Sequence, residues 1–432
     1  MAAAKIPAVK GMRDVLPTDT YLKKDDPWIR TGHLQLIEQA ARDTFPLYGY
    51  REARTPILER TALFTRGIGE VTDIVAKEMY TFEDRDGTPV SMRPEGTASL
   101  VRAYVEHAVS QQEPDSKWWY MGPMFRHERQ QRGRYRQFTQ IGLEALGSQG
   151  PRIDAEQIEL LNRWLKALAI PFAMHVNSLG DANCRPQYRA ALQDYLRAHA
   201  AELCEECNRR LETNPIRVLD CKNPDCQPVA AGAPPMKYCE PCQLHFDRLR
   251  NSLDRLQVHY LIDPKLVRGL DYYTRTTYEA IATEGLGAQS TVAGGGRYDG
   301  LVRELGGGDT PGIGFAAGVE RLALLVAQAG REAAVKPVLF IAPLGEQEEL
   351  KADELAQALR AAGLSAEVSF RKSSAGNQMK RADTLGARFA LVLGEQELRS
   401  DRARLKELKT GAQHEVSLSE LVAGLRKLLE SQ

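Results

Sequence analysis

Five arginines and one glutamate lie within the eleven residues from Arg126 to Arg136. Guanidinium groups bind phosphate oxygens in bidentate geometry, so this segment carries enough positive charge to hold a polyphosphate. Gly133 lies among the arginines and allows a mobile loop tip. The pattern therefore predicts a phosphate-binding hairpin. A solvated hairpin with charge on both faces explains the same composition, so the neighbouring residues must decide between the two interpretations.

The arginine-rich segment is one of five motifs that resemble those of a known family. Tyr120–Phe138 resembles motif 2 of class II aminoacyl-tRNA synthetases, in the form found in histidyl-tRNA synthetases. Met92–Thr97 resembles the amino-acid-binding loop of that family, Leu266–Tyr273 and Ala293–Asp299 resemble its two histidine-specific signatures, and Gly312–Arg321 fits motif 3. The motifs occur in family order across about 230 residues, and the resemblance covers nearly the whole chain.

The resemblance implies a fold and an activity. The implied fold class is α+β: residues 1–332 form the antiparallel-sheet catalytic core of a class II synthetase, 181–258 form a helical insertion within it, and 335–432 form an α/β anticodon-binding domain. The implied activity is that of a histidine–tRNA ligase. L-Histidine and ATP, with Mg²⁺ accompanying ATP, form histidyl-adenylate and pyrophosphate, and histidine is then transferred to the 3′ end of tRNA(His). The family also implies a homodimer, in which Leu47–Pro56 is the counterpart of motif 1.

Adenylate formation requires cationic groups, because attack of a carboxylate on the α-phosphate builds negative charge in the transition state. The resemblance implies that Arg126 contacts the α-phosphate, that Arg268 lies across the reacting carboxylate, and that Arg321 lies under the γ-phosphate. These three are the implied catalytic residues. The implied ATP-binding set is Arg126, Glu128, Arg134, Phe138, which would stack on adenine, and Arg321. An ion pair between Arg268 and Asp271, and core packing of Phe138, are the competing interpretations.

A pocket selective for histidine must satisfy an ammonium group, a carboxylate and two imidazole nitrogens, because unpaired buried polar groups are costly. The resemblance implies that Glu144 and Tyr273 hold the two imidazole nitrogens. The whole implied substrate-binding set is Glu95, Thr97, Arg126, Gln140, Glu144, Arg268, Tyr272, Tyr273 and Tyr298. A buried glutamate beside imidazole favours the cationic ring, whose unperturbed pKa is about 6.5. A surface position on a strand is the competing interpretation for Glu144.

Two positions depart from the usual pattern of the family. Gln130 stands where proline is usual, and Thr139 stands where histidine is usual. Gln130, Gln131 and Arg132 fall at the tip of the motif 2 loop, which in the family reaches the acceptor end of the tRNA. The departure at Gln130 therefore bears on recognition of the extra 5′ guanine and not on the catalytic assignments.

Six of the seven cysteines lie close together in the sequence. They are Cys204, Cys207, Cys221, Cys226, Cys239 and Cys242, whereas Cys184 stands apart. Two C-x-x-C pairs are typical of a structural zinc site, but six thiols exceed the four ligands that zinc needs. Structural zinc and reduced thiols packing a small insertion both remain open, and we assign no residue as a metal ligand.

Charge and composition limit the class of protein. Fifty-seven basic residues balance fifty-seven acidic ones, so any nucleic-acid-binding patch must be local. The first 14 residues contain no apolar stretch long enough for a signal peptide, and no run elsewhere reaches membrane-spanning length. A cytoplasmic globular protein without a disulfide framework is therefore expected.

Hydrophobic periodicity and turn residues predict the elements that position these groups. A helix is predicted over 31–48, a strand over 51–58, a hairpin over 78–92 around Asp84–Gly87, and paired strands over 118–124 and 137–146. A helical run (186–203), a loop-rich cysteine segment and another helix follow. Strands resume at 261–283 and 289–294, and residues 312–315 lead into a helix over 319–328. After a linker at 331–336, strands at 338–342, 367–370 and 389–393 alternate with helices that end at 361 and 385.

Two other classes of function are compatible with parts of this pattern. A synthetase-like regulatory subunit would bind histidine and control ATP phosphoribosyltransferase, but such paralogues lack the anticodon domain and lose catalytic positions. Here Arg126, Arg268 and Arg321 are all present, and about one hundred residues follow motif 3. A zinc-dependent RNA-binding module would bind RNA without activating an amino acid. Histidine-dependent pyrophosphate–ATP exchange distinguishes the ligase from both alternatives.

Overall fold

The computed structural model describes residues 5–17, 29–69, 72, 74–129, 131–267, 272–286, 290–333 and 336–430. Two residues with predicted roles, Arg268 and Gln130, lie outside the described residues, as does Asp271. The chain divides into two units, residues 1–333 and 334–432. Among the described helices, none is long and apolar enough to cross a membrane.

An eight-stranded sheet forms the centre of the first unit. The strands of this unit are β1 (Arg51–Glu52), β2 (Leu58–Arg60), β3 (Tyr80–Glu83), β4 (Pro89–Met92), β5 (Ser116–Phe125), β6 (Gln137–Leu146), β7 (Phe172–Ser178), β8 (Leu261–Ile262), β9 (Thr274–Ala282), β10 (Thr291–Arg297) and β11 (Gly312–Gly318). The large sheet has the order β1-β5-β6-β11-β10-β9-β7-β8, and a small sheet has the order β2-β4-β3. In the large sheet only the edge pairs β1/β5 and β7/β8 are parallel, as far as the described residues show. The predicted antiparallel core is confirmed.

The core of this unit lies between the large sheet and three helices. The helices are α1 (Thr31–Thr44), α2 (Thr61–Ile68), α3 (Thr97–Glu106), α4 (Pro151–Ala167), α5 (Arg185–Ala198), α6 (Glu205–Thr213), α7 (Cys226–Ala231), α8 (Glu240–Arg255), α9 (Leu301–Glu304) and α10 (Val319–Gln328). Helices α1, α4 and α10 pack together against β6 and β11. Phe45 lies between Trp119 and Trp164, with ring centroids 5.6 and 5.2 Å away. Burying each of these large apolar side chains contributes about 1.5–3 kcal/mol, which fixes the sheet that carries the site residues.

The predicted helix over 31–48 and the predicted hairpin over 78–92 are confirmed. The last turn of the helix, Phe45–Tyr48, is a 3₁₀ helix that contains Pro46, and Gly49 ends it with a φ of +80°. In the hairpin, β3 and β4 pair on either side of the Asp84–Gly87 turn, where Gly87 has a φ of +82°. Glycine is favoured at both positions because this region of φ is strained for other residues.

Two local predictions are wrong. The predicted strand over 51–58 is split, because β1 pairs with β5 for only two residues and β2 belongs to the small sheet. Pro56 lies between them and has no N–H for a ladder, and the carbonyl of Thr55 accepts a hydrogen bond from Arg93 Nη1 at 2.9 Å. The cysteine segment predicted to be loop-rich contains α6, α7 and a 3₁₀ turn at Pro215–Val218.

The second unit has a five-stranded sheet. Its elements are β12 (Leu339–Pro343), α11 (Glu346–Ala361), β13 (Ala366–Val368), α12 (Ala375–Thr384), β14 (Phe389–Leu393), α13 (Glu395–Ser400), β15 (Arg402–Glu407), β16 (Gln413–Ser417) and α14 (Leu421–Glu430). Strand β12 pairs in parallel with β13 and β14, which confirms the predicted alternation of strands and helices. The antiparallel hairpin of β15 and β16 extends the sheet and was not predicted.

Candidate active site

A cavity of about 1050 Å³ opens on the large sheet of the first unit. Residues of β6, β10 and β11, the arginine-rich hairpin, and the α6–α7 segment line it. The predicted histidine- and ATP-binding residues that line it are Glu95, Thr97, Arg126, Glu128, Arg134, Phe138, Gln140, Tyr272, Tyr273, Tyr298 and Arg321. Residues from five separate motifs therefore meet at one cavity.

Glu144 lies directly behind the wall of this cavity, on β6, and is 1% exposed. Its carboxylate accepts hydrogen bonds from Thr97 Oγ1 at 2.6 Å and from the Tyr298 hydroxyl at 2.5 Å. Both donors line the cavity. The competing interpretation of Glu144 as a surface residue is wrong.

The close approach of β11 makes room for this carboxylate. Gly314 is the partner of Glu144 in the β6/β11 ladder. A Cβ atom at position 314 would lie 1.8 Å from Glu144 Oε2 and 2.5 Å from the backbone carbonyl oxygen of Leu143, so any other residue would displace both the carboxylate and the neighbouring strand. Motif 3 therefore supplies a glycine here because the neighbouring strand carries a buried acid.

Burial makes Glu144 a weak acid. It raises the pKa of Glu144 to about 8, despite the hydrogen bonds from Thr97 and Tyr298, and the negative charge of Glu95 acts in the same direction. Burial also raises the pKa of Glu95. The Glu144 carboxyl is therefore mostly protonated at neutral pH, and it can give a proton or a hydrogen bond to a basic nitrogen.

A second set of hydrogen bonds fixes the 95–97 loop beside Glu144. The carboxylate of Glu95 accepts from the backbone N–H groups of Thr97 and Ala98, both at 2.8 Å, at the start of α3. Gln140 Oε1 accepts from the Gly96 N–H at 3.2 Å and from the Tyr120 hydroxyl at 3.0 Å. We refer to Glu95, Thr97, Gln140, Glu144 and Tyr298 as the acidic group.

Aromatic side chains form the adjoining wall. The ring centroids of Tyr272 and Tyr273 lie 4.7 Å apart, and those of Tyr272 and Tyr298 lie 5.7 Å apart. All three side chains are buried. The ring planes are inclined to each other by 54° and 74°, so the wall offers ring faces, ring edges and hydroxyl groups, which suit a planar heterocycle that also needs hydrogen bonds.

Two arginines of the hairpin, Arg126 and Arg134, interact with the same glutamate, Glu128. Arg134 Nη1 donates to Glu128 Oε2 at 2.9 Å, and Arg126 Nη1 lies 3.7 Å from Glu128 Oε1. Arg126 Nε donates to the carbonyl of Pro94 at 2.8 Å, and its guanidinium carbon lies 5.4 Å from the centroid of the Phe138 ring. We refer to Arg126, Glu128, Arg134, Phe138 and Arg321 as the arginine group.

Arg321 comes from the first turn of α10. Burial and the nearby positive charge of Arg134 lower its pKa to about 10, so the guanidinium stays charged at neutral pH. Its Nη1 donates to the carbonyl of Thr291 at 2.5 Å. The preceding residue, Glu320, accepts from the backbone N–H of Thr139 at 2.8 and 3.0 Å, which ties motif 3 to motif 2 at one of the departing positions.

The hairpin tip differs from the expected mobile loop. Gln131 and Arg134 pair across a tight turn, in which Gln131 and Arg132 are exposed. Gly133 has a φ of +75° and is buried, and a Cβ atom there would lie 2.9 Å from Leu324 Cδ1 on α10. The absence of a side chain at Gly133 therefore allows the turn to pack closely against α10, and Gly133 is not part of a freely exposed tip.

The cysteines form two groups and not one. Cys204, Cys207, Cys221 and Cys226 bring their ligand atoms within 4.8 Å of one another, and so do Asp181, Cys184, Cys239 and Cys242. The interpretation that Cys184 stands apart is wrong, because the turn after β7 carries it to the start of α8. All seven cysteines are free thiols, and each group could hold a metal ion.

Sequence reasoning missed three residues that support the site. Arg93 is buried and donates to the carbonyls of Thr55 and Pro123, which anchors the loop before Glu95. Tyr120 holds Gln140, as described above. The guanidinium of Arg297, which the resemblance placed in a histidine-specific signature, points into the core and pairs with Asp154 at 2.5 Å. Only the apolar surroundings of these residues in the sequence could have indicated burial.

Comparison with known proteins identifies the family of the chain. The family model for histidyl-tRNA synthetase matches residues 29–322, and the model for an anticodon binding domain matches residues 339–428. A histidine–tRNA ligase from Anaeromyxobacter dehalogenans is 50% identical over 97% of this chain and 99% of its own. The apo histidyl-tRNA synthetase of S. aureus has a TM-score of 0.78 and 34% identity, with coverage of 98% of this chain and 100% of the other.

A more distant likeness concerns the fold alone. A protein from Bacillus halodurans described as an ATP phosphoribosyltransferase regulatory subunit/histidyl-tRNA synthetase has a TM-score of 0.65 and 19% identity, covering 90% of this chain and 99% of its own. The family model and the close relatives decide the matter: the chain belongs to the histidyl-tRNA synthetase family.

Proposed function

We propose that this protein activates L-histidine with ATP, releasing pyrophosphate, and transfers histidine from the adenylate to the 3′ end of tRNA(His). The observation that carries the proposal is the single cavity that joins the acidic group to the arginine group. One group suits a cationic or proton-accepting amino acid, and the other suits a polyphosphate. Membership of the family supports the pairing of these two substrates.

The acidic group and the tyrosines would bind histidine. Glu144 and Tyr273 would take the imidazole nitrogens, Glu95, Thr97 and Gln140 the α-amino group, and Tyr272 and Tyr298 the sides of the pocket. Thr97 and Tyr298 already donate to the two oxygens of Glu144, and each oxygen has a further lone-pair site with which the carboxyl group can interact with imidazole. Arg268 would take the carboxylate.

The arginine group would bind ATP. Arg126 would contact the α-phosphate and stabilise charge in the transition state, Arg321 would contact the γ-phosphate, and Glu128 and Arg134 would complete the site. Phosphate oxygens can replace Glu128 as the partner of Arg126 and Arg134. Phe138 would stack on adenine. Mg²⁺ would neutralise phosphate charge, and the carboxylates of Glu128 and Glu279 on the cavity wall are oxygen ligands of the kind it prefers.

The remaining parts of the chain would serve tRNA binding and assembly. Residues 1–332 would be the catalytic domain with an insertion at 181–258, and 335–432 would bind the anticodon. Gln130, Gln131 and Arg132 would face the acceptor end. A homodimer is proposed because Leu47, Ile57 and Leu58, in and beside the motif 1 counterpart, are 75%, 41% and 48% exposed. A cytoplasmic location is proposed because the chain belongs to a family of tRNA ligases.

Histidine-dependent exchange of pyrophosphate into ATP tests the proposal. The full-length protein should catalyse exchange with histidine but with none of the other standard amino acids, and should charge tRNA(His). Arg126→Gln should lower both by about 10²–10³-fold, whereas Arg163→Gln, at an exposed arginine of α4 that does not line the cavity, should change neither. Histidine binding without exchange would indicate a regulatory protein. RNA binding that is lost on chelation, again without exchange, would indicate a non-catalytic RNA-binding module.

A further inference from the structure

The first cysteine group has the donor set of a closed metal site. It comprises Cys204, Cys207, Cys221 and Cys226, whose sulfur atoms all lie within 4.8 Å of one another. The sulfurs of Cys204 and Cys221 are 4.0 Å apart. Four thiolates at about 2.3 Å from a tetrahedral zinc ion lie about 3.8 Å from each other, so small side-chain movements would complete the site.

The second group has three thiols and a carboxylate from two distant segments. Asp181 and Cys184 lie in the turn between β7 and α5, whereas Cys239 and Cys242 lie at the start of α8. Asp181 Oδ1 lies 3.4 Å from Cys184 Sγ and 3.7 Å from Cys239 Sγ. Carboxylate oxygen is an ordinary zinc ligand beside cysteine sulfur.

Backbone N–H groups already donate hydrogen bonds to a sulfur atom in each group. The N–H of Cys204 points to Cys226 Sγ at 3.1 Å, and the N–H of Asp181 points to Cys184 Sγ at 3.3 Å. Cys184, Cys204 and Cys239 each immediately precede the first residue of a helix. N–H groups that donate to ligand atoms and fix their orientation are typical of the residues around a metal site.

We infer that each chain binds two structural zinc ions, one at Cys204, Cys207, Cys221 and Cys226, and one at Asp181, Cys184, Cys239 and Cys242. One zinc ion needs four ligands, so a single ion leaves two of the six clustered thiols unused. Two ions use all six, because Cys184 and Asp181 complete the second set. The first ion joins the beginnings of α6 and α7. The second joins α8 to the turn that follows β7, the strand next to the edge strand β8 of the large sheet.

The second ion would also position the histidine-binding tyrosines, an argument that rests on the proposed function. Arg275, two residues after Tyr273, exchanges two backbone hydrogen bonds of 2.7 Å with Leu179 and Gly180. Its side chain lies 3.3 Å from Asp181 Oδ2. Arg185 Nη1, next to Cys184, donates to the carbonyl of Tyr273 at 2.9 Å. Asp181 and its cysteines are therefore positioning residues for Tyr273.

Metal analysis of the full-length protein tests the inference directly. The protein purified without chelator should contain two zinc ions per chain. Cys204→Ser and Asp181→Asn should each lower the count to one, whereas Asp225→Asn, an exposed carboxylate beside Cys226, should leave it at two. A count of zero or one in the unmodified protein, or a disulfide within either group, would overturn it.

Two further measurements test the two sites separately, and the first uses only the unmodified protein. Replacement of zinc by Co²⁺ in the unmodified protein should give two sets of bands, with stronger thiolate charge transfer from the four-cysteine site than from the site with Asp181. Kinetics separate the roles: Asp181→Asn should raise the histidine KM several-fold without changing the ATP KM, and Cys204→Ser should change neither. Equal effects of the two variants on histidine KM would refute the positioning role. Absence of exchange in the unmodified protein would refute the proposed function and leave the zinc count standing.

Discussion

The acidic group and the arginine group share one cavity but are built in opposite ways. Glu144 and Glu95 are 1% and 2% exposed, and neutral donors of the protein satisfy their oxygens. Arg126 and Arg134 are partly exposed, and their carboxylate partner Glu128 also lies on the cavity wall. Buried groups with fixed partners discriminate between small ligands, because a wrong ligand leaves them unpaired. Exposed cations with an exchangeable partner accept any suitably placed phosphate.

The largest effect should follow loss of charge in the arginine group. Arg126→Gln should lower kcat for histidine-dependent exchange by about 10²–10³-fold, because a cation facing the transition-state charge is removed. The free energy of unfolding should hardly change, since the arginine is partly solvated. Steady-state exchange kinetics and chemical denaturation measure the two quantities. A loss of less than tenfold in kcat would mean that Arg126 does not face the reacting phosphate.

The next largest effect should follow substitution in the acidic group. Glu144→Gln keeps the shape but cannot ionise, and kcat/KM for histidine should fall by about 10–100-fold, the value of one hydrogen bond to a charged group. The ATP KM should stay the same. If ATP KM rose as much as histidine KM, the separation of the two groups would fail. Gln39→Ala on the exposed face of α1 is a suitable control.

The two groups should also differ in how pH affects the unliganded protein. The pKa of Glu144 is about 8 when folded and near 4.5 when unfolded, so the folded state binds the proton more tightly. Its stabilising contribution is present below pH 4.5 and is lost as pH rises to 8, with a slope of up to about 1.4 kcal/mol per pH unit. The unmodified protein should therefore lose stability relative to Glu144→Gln between pH 5 and 8.5. Urea denaturation at both pH values measures this, and a constant difference would contradict the burial argument.

The smallest effect should come from Phe138. Phe138→Leu should raise the ATP KM by about three- to tenfold, because stacking contributes about 1 kcal/mol beyond burial. The histidine KM should not change. An unchanged ATP KM together with a loss of unfolding free energy would support the competing interpretation, in which Phe138 packs the core.

Much of the site could be predicted from the sequence, because local motifs fix residue types at positions next to turns and strand ends. The arginine-rich hairpin and the Gly312–Arg321 strand and helix are examples. Long-range partners could not be predicted in this way. Arg297 stands beside Tyr298 in one motif, yet its side chain points into the core towards Asp154, some 140 residues away. Alternation along a strand sends neighbours to opposite faces, and spacing alone does not say which face is the pocket.

The fold also has features that the sequence pattern did not predict. Exposed and buried residues alternate along β15 from Arg402 to Glu407, which is a pattern typical of a strand. The strand was not predicted because it follows the part of the chain in which strands and helices take turns. The cysteines divide into two metal-binding groups because Asp181 and Cys184 lie close to Cys239 in the folded chain. Helices α5, α6 and α7 separate these residues in the sequence. Sequence spacing describes ligands on one segment well, but ligands on two segments are joined by tertiary structure.

The protonated state of Glu144 has one further consequence. Under the proposed function, a carboxyl group that keeps its hydrogen at neutral pH would meet an imidazole that is largely neutral in water, and the hydrogen would be able to pass between them inside the pocket. The resulting pair of opposite charges arises only for a side chain basic enough to accept it. An amide such as that of glutamine or asparagine resembles part of the imidazole outline but has no such nitrogen. The pocket would therefore test basicity as well as shape, by means of the hydrogen that Glu144 holds in the unliganded protein.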